Sequence, residues 1–332
     1  MTDERSYSSF VIDGAQYAKW DRQIFQEMRS GGVDCVNVTI VYWETARETL
    51  SEIGKWHRFF ERHGDLIMPA RTGDDVRRAR ELGKTAITFA FQHCSPIEED
   101  IDLVEIMHKL GVRFMQLSYN NQSACATGCY EDADTGITRF GRQVIREMNR
   151  VGMVVDMSHS GERSTFHAIE ISERPITITH ANPKSWHPAL RNKTDDLLKA
   201  LAKSGGMLGF SMYPFHMKGK SDCTIESFCE MIARTADLMG IEHIGIGSDL
   251  VQGHDNEVVE WMRNGRWSKE MDFGEGTKND AGWPDPVSWF ISNQDFPKVT
   301  AGLRHHGFTE DEVNLIMGGN WLRFFDENFG PA

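Results

Sequence analysis

"RFGRQVIREMNRVGMVVDMSH", residues 139–159, changes character at Gly152. Up to that glycine the stretch is amphipathic, with apolar and charged side chains interleaved as on a helix that buries one face. Beyond it Met153, Val154 and Val155 form a short apolar run of the kind a covered strand needs, and the run ends on polar Ser158 and His159. A glycine suits the position just past a helix, so the stretch reads helix, turn, strand.

The same unit recurs in both directions. Short β-rich runs, "SFVIDGA", "VDCVNVTI", "TAITFAFQ", "FMQLSYN", "MVVDMSH", "ITITHA", "MLGFSMYP" and "HIGIGSDL", alternate with helical stretches, of which "EDIDLVEIMHKLG" and "TDDLLKALAKSGG" also close on glycine. Alternation of apolar strands with amphipathic helices predicts an α/β fold with a parallel sheet covered by helices. Eight units suit a closed (β/α)8 TIM-type barrel better than an open sheet, because no glycine-rich dinucleotide fingerprint follows the first strand. The run "DLIMPAR" blurs the count. At 332 residues, with no Pro-rich linker or internal repeat, the expectation is one domain over 1–332. Residues 251–284 break the rhythm with a long polar segment carrying Trp261, Trp267 and Trp283, read as a lid or an oligomer contact. C-terminal helices are expected over about 286–328, with Thr309 and Glu312 as a capping box and Asn320 as a helix cap.

The formal charge of -13, with no long basic tract, argues against nucleic acid and anionic membrane as partners. No run of about 18 apolar residues occurs and "MTDERSYSSF" lacks a signal-peptide pattern, so a cytoplasmic protein is expected. The six cysteines (Cys35, Cys94, Cys125, Cys129, Cys223, Cys229) form no CxxC pair and read as buried free thiols.

Ligand-type side chains gather at the C-terminal ends of the strand runs: Gln92, His93, Tyr119, His159, His180 and Asp249. In a barrel these ends converge on one mouth. Each alone has an ordinary structural explanation, such as a hydrogen-bonded histidine or a turn aspartate. Together, two imidazoles on neighbouring strands and a carboxylate two strands on suggest a metal-dependent hydrolase.

At these residues the sequence resembles the membrane (renal) dipeptidase family of zinc peptidases. The resemblance is carried by "FGRQVIREMNRVGMVVDMSHS", "RPITITHANP", "RNKTDDLLKALAKSGG", "HIGIGSDL" and "GGNWLRFF", in the family's order and spacing over essentially the whole chain. It implies an amidohydrolase-like barrel and, in active members, two zinc ions bridged by a glutamate and a hydroxide. The substrates it implies are dipeptides, including those with a C-terminal D-residue. By the same resemblance His159 and His180 match the two histidines of one zinc, Asp249 the aspartate that handles the proton, and Arg191 the arginine that holds the substrate carboxylate.

The first strand departs from the pattern. The family reads Asp-Gly-His-x-Asp where this chain has Asp13-Gly14-Ala15-Gln16-Tyr17; its bridging glutamate falls on Gln92, and its carbonyl-polarising histidine on Tyr119. Losing three anionic or imidazole donors leaves too little charge for two dications, so one zinc ion per chain is the expected maximum, held by His159, His180, Asp249 and the Gln92 carbonyl or His93. Asp249 and Tyr119 are the expected catalytic residues, the latter as a hydrogen-bond donor to an oxyanion, with Arg191 and Tyr17 binding substrate. The expectation is a dipeptidase-like hydrolase of a small amide or dipeptide-like compound, acting as a homodimer. The alternatives are a repurposed barrel enzyme of another reaction class and a non-catalytic dipeptidase homologue.

Overall fold

The structure is a computed structural model that describes residues 10–266, 268–269, 274–279 and 281–330. Eight parallel strands close a barrel: β1 (Ile12–Ala18), β2 (Cys35–Val41), β3 (Thr85–Phe91), β4 (Val112–Gln116), β5 (Val154–Asp156), β6 (Thr177–Ala181), β7 (Met207–Phe210) and β8 (Ile244–Ile246). Closure is made where β8 returns to β1, with Asp13 opposite Ile246. This is the expected (β/α)8 barrel, and β2 and β3 are buried at every position, as strands covered on both faces must be.

"DLIMPAR" does not supply a ninth stave. Its strand, Ile67–Pro69, pairs with the first half of β3 (Ile67 opposite Thr85), on the edge where β4 takes up the second half (Phe89 opposite Val112). The two segments share one edge in succession.

The helices start and stop where local chemistry says they should. Thr45 with Glu48 and Thr72 with Asp75 form complete capping boxes, and Thr138, Thr194 and Thr224 each accept a hydrogen bond from an amide of the first turn. Gly152 ends the helix Arg139–Val151 in the left-handed conformation (φ 77°), and a side chain there would also press against Gly330.

A C-terminal helix, Asn320–Asn328, seals the end of the barrel where the strands begin. Trp321 and Phe325 pack with Ile12, Cys35, Ala86, Val154 and Met207, and the Trp321 indole donates to the Ile246 carbonyl at 2.9 Å. Gly14 is required here, since its Cβ would lie 2.8 Å from the Trp321 ring. With that end filled, open space is left at the C-terminal ends of the strands.

Three local expectations change. Residues 251–284 are not one loop: Leu250–Gln252 is a short strand paired with β1, and Asn256–Asn264 is a helix capped by Asp255. Trp267 lies outside the described residues. Helix in the C-terminal region begins at Phe296 rather than near 286, and the Thr309–Glu312 capping box is present. Asn320 is not a cap; its amide donates to the carbonyls of Ile241 and Ile244 at 2.7 and 2.9 Å, tying the last helix to the start of β8. The six cysteines are all free, and no helix among the described residues is long and apolar enough to cross a membrane.

Candidate active site

His159 and His180 come from the ends of β5 and β6, and their Nε2 atoms lie 3.0 Å apart. Each ring is oriented through its other nitrogen. His159 Nδ1 is 2.6 Å from Asn120 Oδ1, and His180 Nδ1 is 2.8 Å from Thr179 Oγ1, which donates to Asp156. Asp156 is the anchor of this wall, accepting from the Ser158 amide and hydroxyl and from the Thr179 amide. With each Nδ1 donating to its oxygen, both Nε2 atoms carry lone pairs, and these face one another. Burial, and then the nearby Arg191 charge, hold both imidazoles well below the usual histidine range, so they are neutral.

Asp249 stands where β8 has ended and the chain turns back into the short strand Leu250–Gln252. Its φ of 57° is unusual for a residue with a side chain, the kind of local strain that clusters at functional sites. The turn is fixed from β1: Asp249 N donates to the Ala15 carbonyl at 3.0 Å, and Asp13 accepts from the Ser248 amide at 2.7 Å and from its hydroxyl. Burial raises the Asp249 carboxyl to about 6, against the lowering pull of Arg191. Above that pH it is a carboxylate able to accept a proton.

Arg191 is fully buried, and its guanidinium donates to the carbonyls of Ser158 and His180, the latter at 3.1 Å. It therefore ties together the two strand ends that carry the histidines. Gln92 is held by a 2.8 Å bond from its Nε2 to Thr39, which leaves its carbonyl oxygen free of that contact.

Where the family's first-strand ligands would stand, rings have gathered. Tyr17 meets Tyr42 edge-on (4.9 Å between centroids), Tyr42 meets Tyr119 edge-on (5.1 Å), and Tyr119 stacks on His159 at 4.0 Å. Tyr17 also lies flat on His254 at 4.3 Å. Burial pushes all three phenols up, so they remain protonated donors at ordinary pH. His93 is turned to other work: its Nδ1 accepts from the Ser95 amide, and its ring packs on Trp43.

A cavity opens among these groups, and Gln92, Tyr119, His159, Arg191 and Asp249 all line it. His180 sits behind His159, fully buried, and Tyr17 is not among the lining residues. The sequence reading missed Asn120, Tyr213, His216 and Glu275, which complete the wall. Glu275 reaches in from the long segment after β8 and accepts from the Leu190 and Arg191 amides. Asn120 could have been suspected as the neighbour of Tyr119 in "FMQLSYN", whereas His216 and Glu275 carry no local signal.

The donor set suits a metal only in part. Two imidazole Nε2 atoms 3.0 Å apart match the spacing of two ligands on one ion, about 3.0–3.4 Å for metal–nitrogen bonds of about 2.1 Å. A catalytic zinc takes about three protein ligands. Among the described residues no three His, Cys, Asp or Glu side chains stand close enough together to hold an ion. The buried charges of Arg191 and Lys193 beside the histidines work against added positive charge. A two-ion centre does not fit, and a single ion would have half a site.

The fold has counterparts in known proteins. The chain is 26% identical over 290 residues to the dipeptidase tcpJ of Claviceps purpurea and 28% identical over 288 residues to the dipeptidase verJ of Clonostachys rogersoniana. Each match takes in 86% of this chain but only 61% and 66% of those proteins, so the chain spans less than two thirds of either. Among solved structures, an amidohydrolase from Pseudomonas aeruginosa superposes with a TM-score of 0.90 at 35% identity over 97% of both chains. A metallo peptidase from Rhodobacter sphaeroides, liganded with a phosphinate mimic of the dipeptide L-Ala-D-Ala, superposes with a TM-score of 0.79. That match covers 97% of this chain and 99% of the other at 19% identity, a likeness of fold alone. The model of the membrane dipeptidase family, peptidase family M19, matches residues 8–265, from before β1 to beyond Asp249. The chain belongs to the membrane dipeptidase family.

Proposed function

We propose that the chain is a dipeptidase-like hydrolase of a small amide or dipeptide-like compound carrying a carboxylate, working with at most one metal ion. One observation carries this reading: Tyr119, His159, Arg191 and Asp249 line a single cavity. Asp249 takes the proton of the attacking water, being mainly ionised above about pH 6. The Tyr119 phenol donates to the oxygen that gains charge as the carbonyl is attacked. Arg191 uses guanidinium N–H groups not spent on the Ser158 and His180 carbonyls to hold the substrate carboxylate. A zinc ion between His159 and His180, when bound, would add Lewis acidity at the scissile carbonyl. A second reading, an enzyme that works on the same cavity without metal, is favoured by the incomplete donor set among the described residues.

Elemental analysis of protein purified without chelator or added zinc, paired with a panel of L,L and L,D dipeptides, tests the proposal. Turnover with about one ion per chain or fewer, reduced about 10²–10⁴-fold in Asp249→Asn, is the expected result. About two ions per chain would overturn the one-ion limit. Turnover that survives complete chelation would favour the metal-free reading, and no hydrolysis of any amide would overturn both.

A further inference from the structure

A second cavity adjoins the first and shares Tyr213, Asp249, Val251 and Trp283 with it. Its chemistry is different. The first cavity sets Gln92, His159, Arg191 and Glu275 beside Phe215 and Met262, whereas the second, apart from Ser248, Asp249 and His254, is lined mainly by apolar side chains such as Met212, Leu250, Pro286 and Phe290. The two spaces are therefore one bipartite site, with the buried charged and hydrogen-bonding groups on one side, mainly apolar walls on the other, and the Asp249 carboxylate shared at the waist between them.

The apolar lobe has a wall of this chain's own making. His254 lines it, and the ring behind His254 is Tyr17, stacked at 4.3 Å with an interplanar angle of 9°. Position 17 is where the resemblance places an aspartate ligand, so the substitution that removes a metal donor also provides a flat aromatic backing for the lobe. Burial holds His254 below the usual histidine range. A neutral imidazole stacked on a phenol presents no charge to an apolar guest.

We infer that the apolar lobe is a specificity pocket for a bulky aromatic or branched aliphatic group on the half of the substrate distal to its carboxylate. Arg191 holds the carboxylate in the polar lobe, the bond to be cleaved lies across the waist beside Asp249, and the apolar group fills the space toward Phe290 and Pro286. The inference rests on the proposed hydrolase reading for the position of the cleaved bond, but not for the binding of the apolar group. A pocket with apolar walls and a few polar groups at one end is the usual form of a small-molecule site. Burying even one methylene in such a pocket discriminates by about 10–200-fold.

The test uses two phosphinate pseudo-dipeptides that share one carboxylate-bearing half and differ only in carrying a methyl or a benzyl group on the other, titrated calorimetrically into the full chain. The benzyl compound is expected to bind at least about tenfold more tightly. That ratio is expected to fall at least about tenfold in Pro286→Trp, at the exposed rim of the lobe, and in Met212→Trp, on its wall. Equal affinities in the parent, no binding by either compound, or a ratio unchanged in both folded variants would overturn the inference. The matching alanyl and phenylalanyl dipeptides are assayed in parallel. Tighter benzyl binding without hydrolysis of either dipeptide would leave the pocket standing and remove the hydrolase reading.

Discussion

Replacing Arg191 by alanine should damage two functions at once, in proportions that can be separated. The guanidinium is buried and donates to two backbone carbonyls, Ser158 O and His180 O, each next to or on a residue that aims a histidine. A hydrogen bond to a charged group contributes about 1.5–3 kcal/mol, so two amount to roughly 3–6 kcal/mol. Removing the buried charge also recovers part of its desolvation cost, leaving a net loss of about 2–4 kcal/mol. At about 2–4 °C per kcal/mol for a chain of this size, the melting temperature should fall by roughly 5–15 °C. Separately, loss of one charge-assisted contact to the substrate carboxylate should raise KM by roughly 10–150-fold, with a much smaller change for amides that lack a carboxylate. Differential scanning fluorimetry and initial rates on a matched pair of substrates measure both. A melting temperature within about 2 °C of the parent would refute the strand-tying argument. A destabilised variant with an unchanged KM would make Arg191 a purely architectural residue. Arg191→Lys should lie between parent and alanine in both measurements, since one ammonium cannot match the planar fork of the guanidinium.

Three further outcomes follow from the site. If Asp249 is the base, kcat/KM should lose activity about tenfold per pH unit below about 6 and level off above it, and residual activity in Asp249→Asn should show no such limb; a pH-rate profile decides it. Asp13, fully buried with its carboxyl raised from 3.8 to about 6, binds a proton more readily folded than unfolded. Its contribution of about 3 kcal/mol is therefore present below about pH 4 and lost as pH rises through 6, and urea midpoints of the parent against Asp13→Asn should diverge over that window. The triple variant Ala15→His, Tyr17→Asp, Gln92→Glu restores the donors that the resemblance assigns to the missing half, and elemental analysis should show one additional ion per chain; a folded variant with no gain would refute the vacant-half argument.

The barrel was legible because its strands are buried on both faces and so appear as short, predominantly β-branched and apolar runs, and because Gly111, Gly152 and Gly205, all at positive φ, mark where helices stop. The strand-end histidines and Asp249 were legible for the same reason: a polar residue closing an apolar run is conspicuous. Less legible were contacts made with distant partners. Arg191 reads locally as a loop arginine, and nothing near it announces that its acceptors lie 33 and 11 residues away. Tyr17 occupies a ligand position in the sequence, yet its ring is claimed by His254 and Tyr42, residues far from it in the chain that no periodicity links to it. Asn320 sits at the start of a helix and so looks like a cap, but packing of that helix against the barrel floor brings the carbonyls of Ile241 and Ile244, at the entry to β8, within its reach.

The first strand separates scaffolding from chemistry. Asp13 and the Ala15 carbonyl orient the turn that carries Asp249, and neither task depends on which side chain stands at 15 or 17. Those two positions can therefore be rewritten without displacing Asp249. A lineage could exchange a metal-binding edge for an aromatic one in single steps, keeping a folded barrel and a poised carboxylate throughout. The same independence makes positions 15 and 17 the natural pair to randomise when new substrates are sought for this barrel.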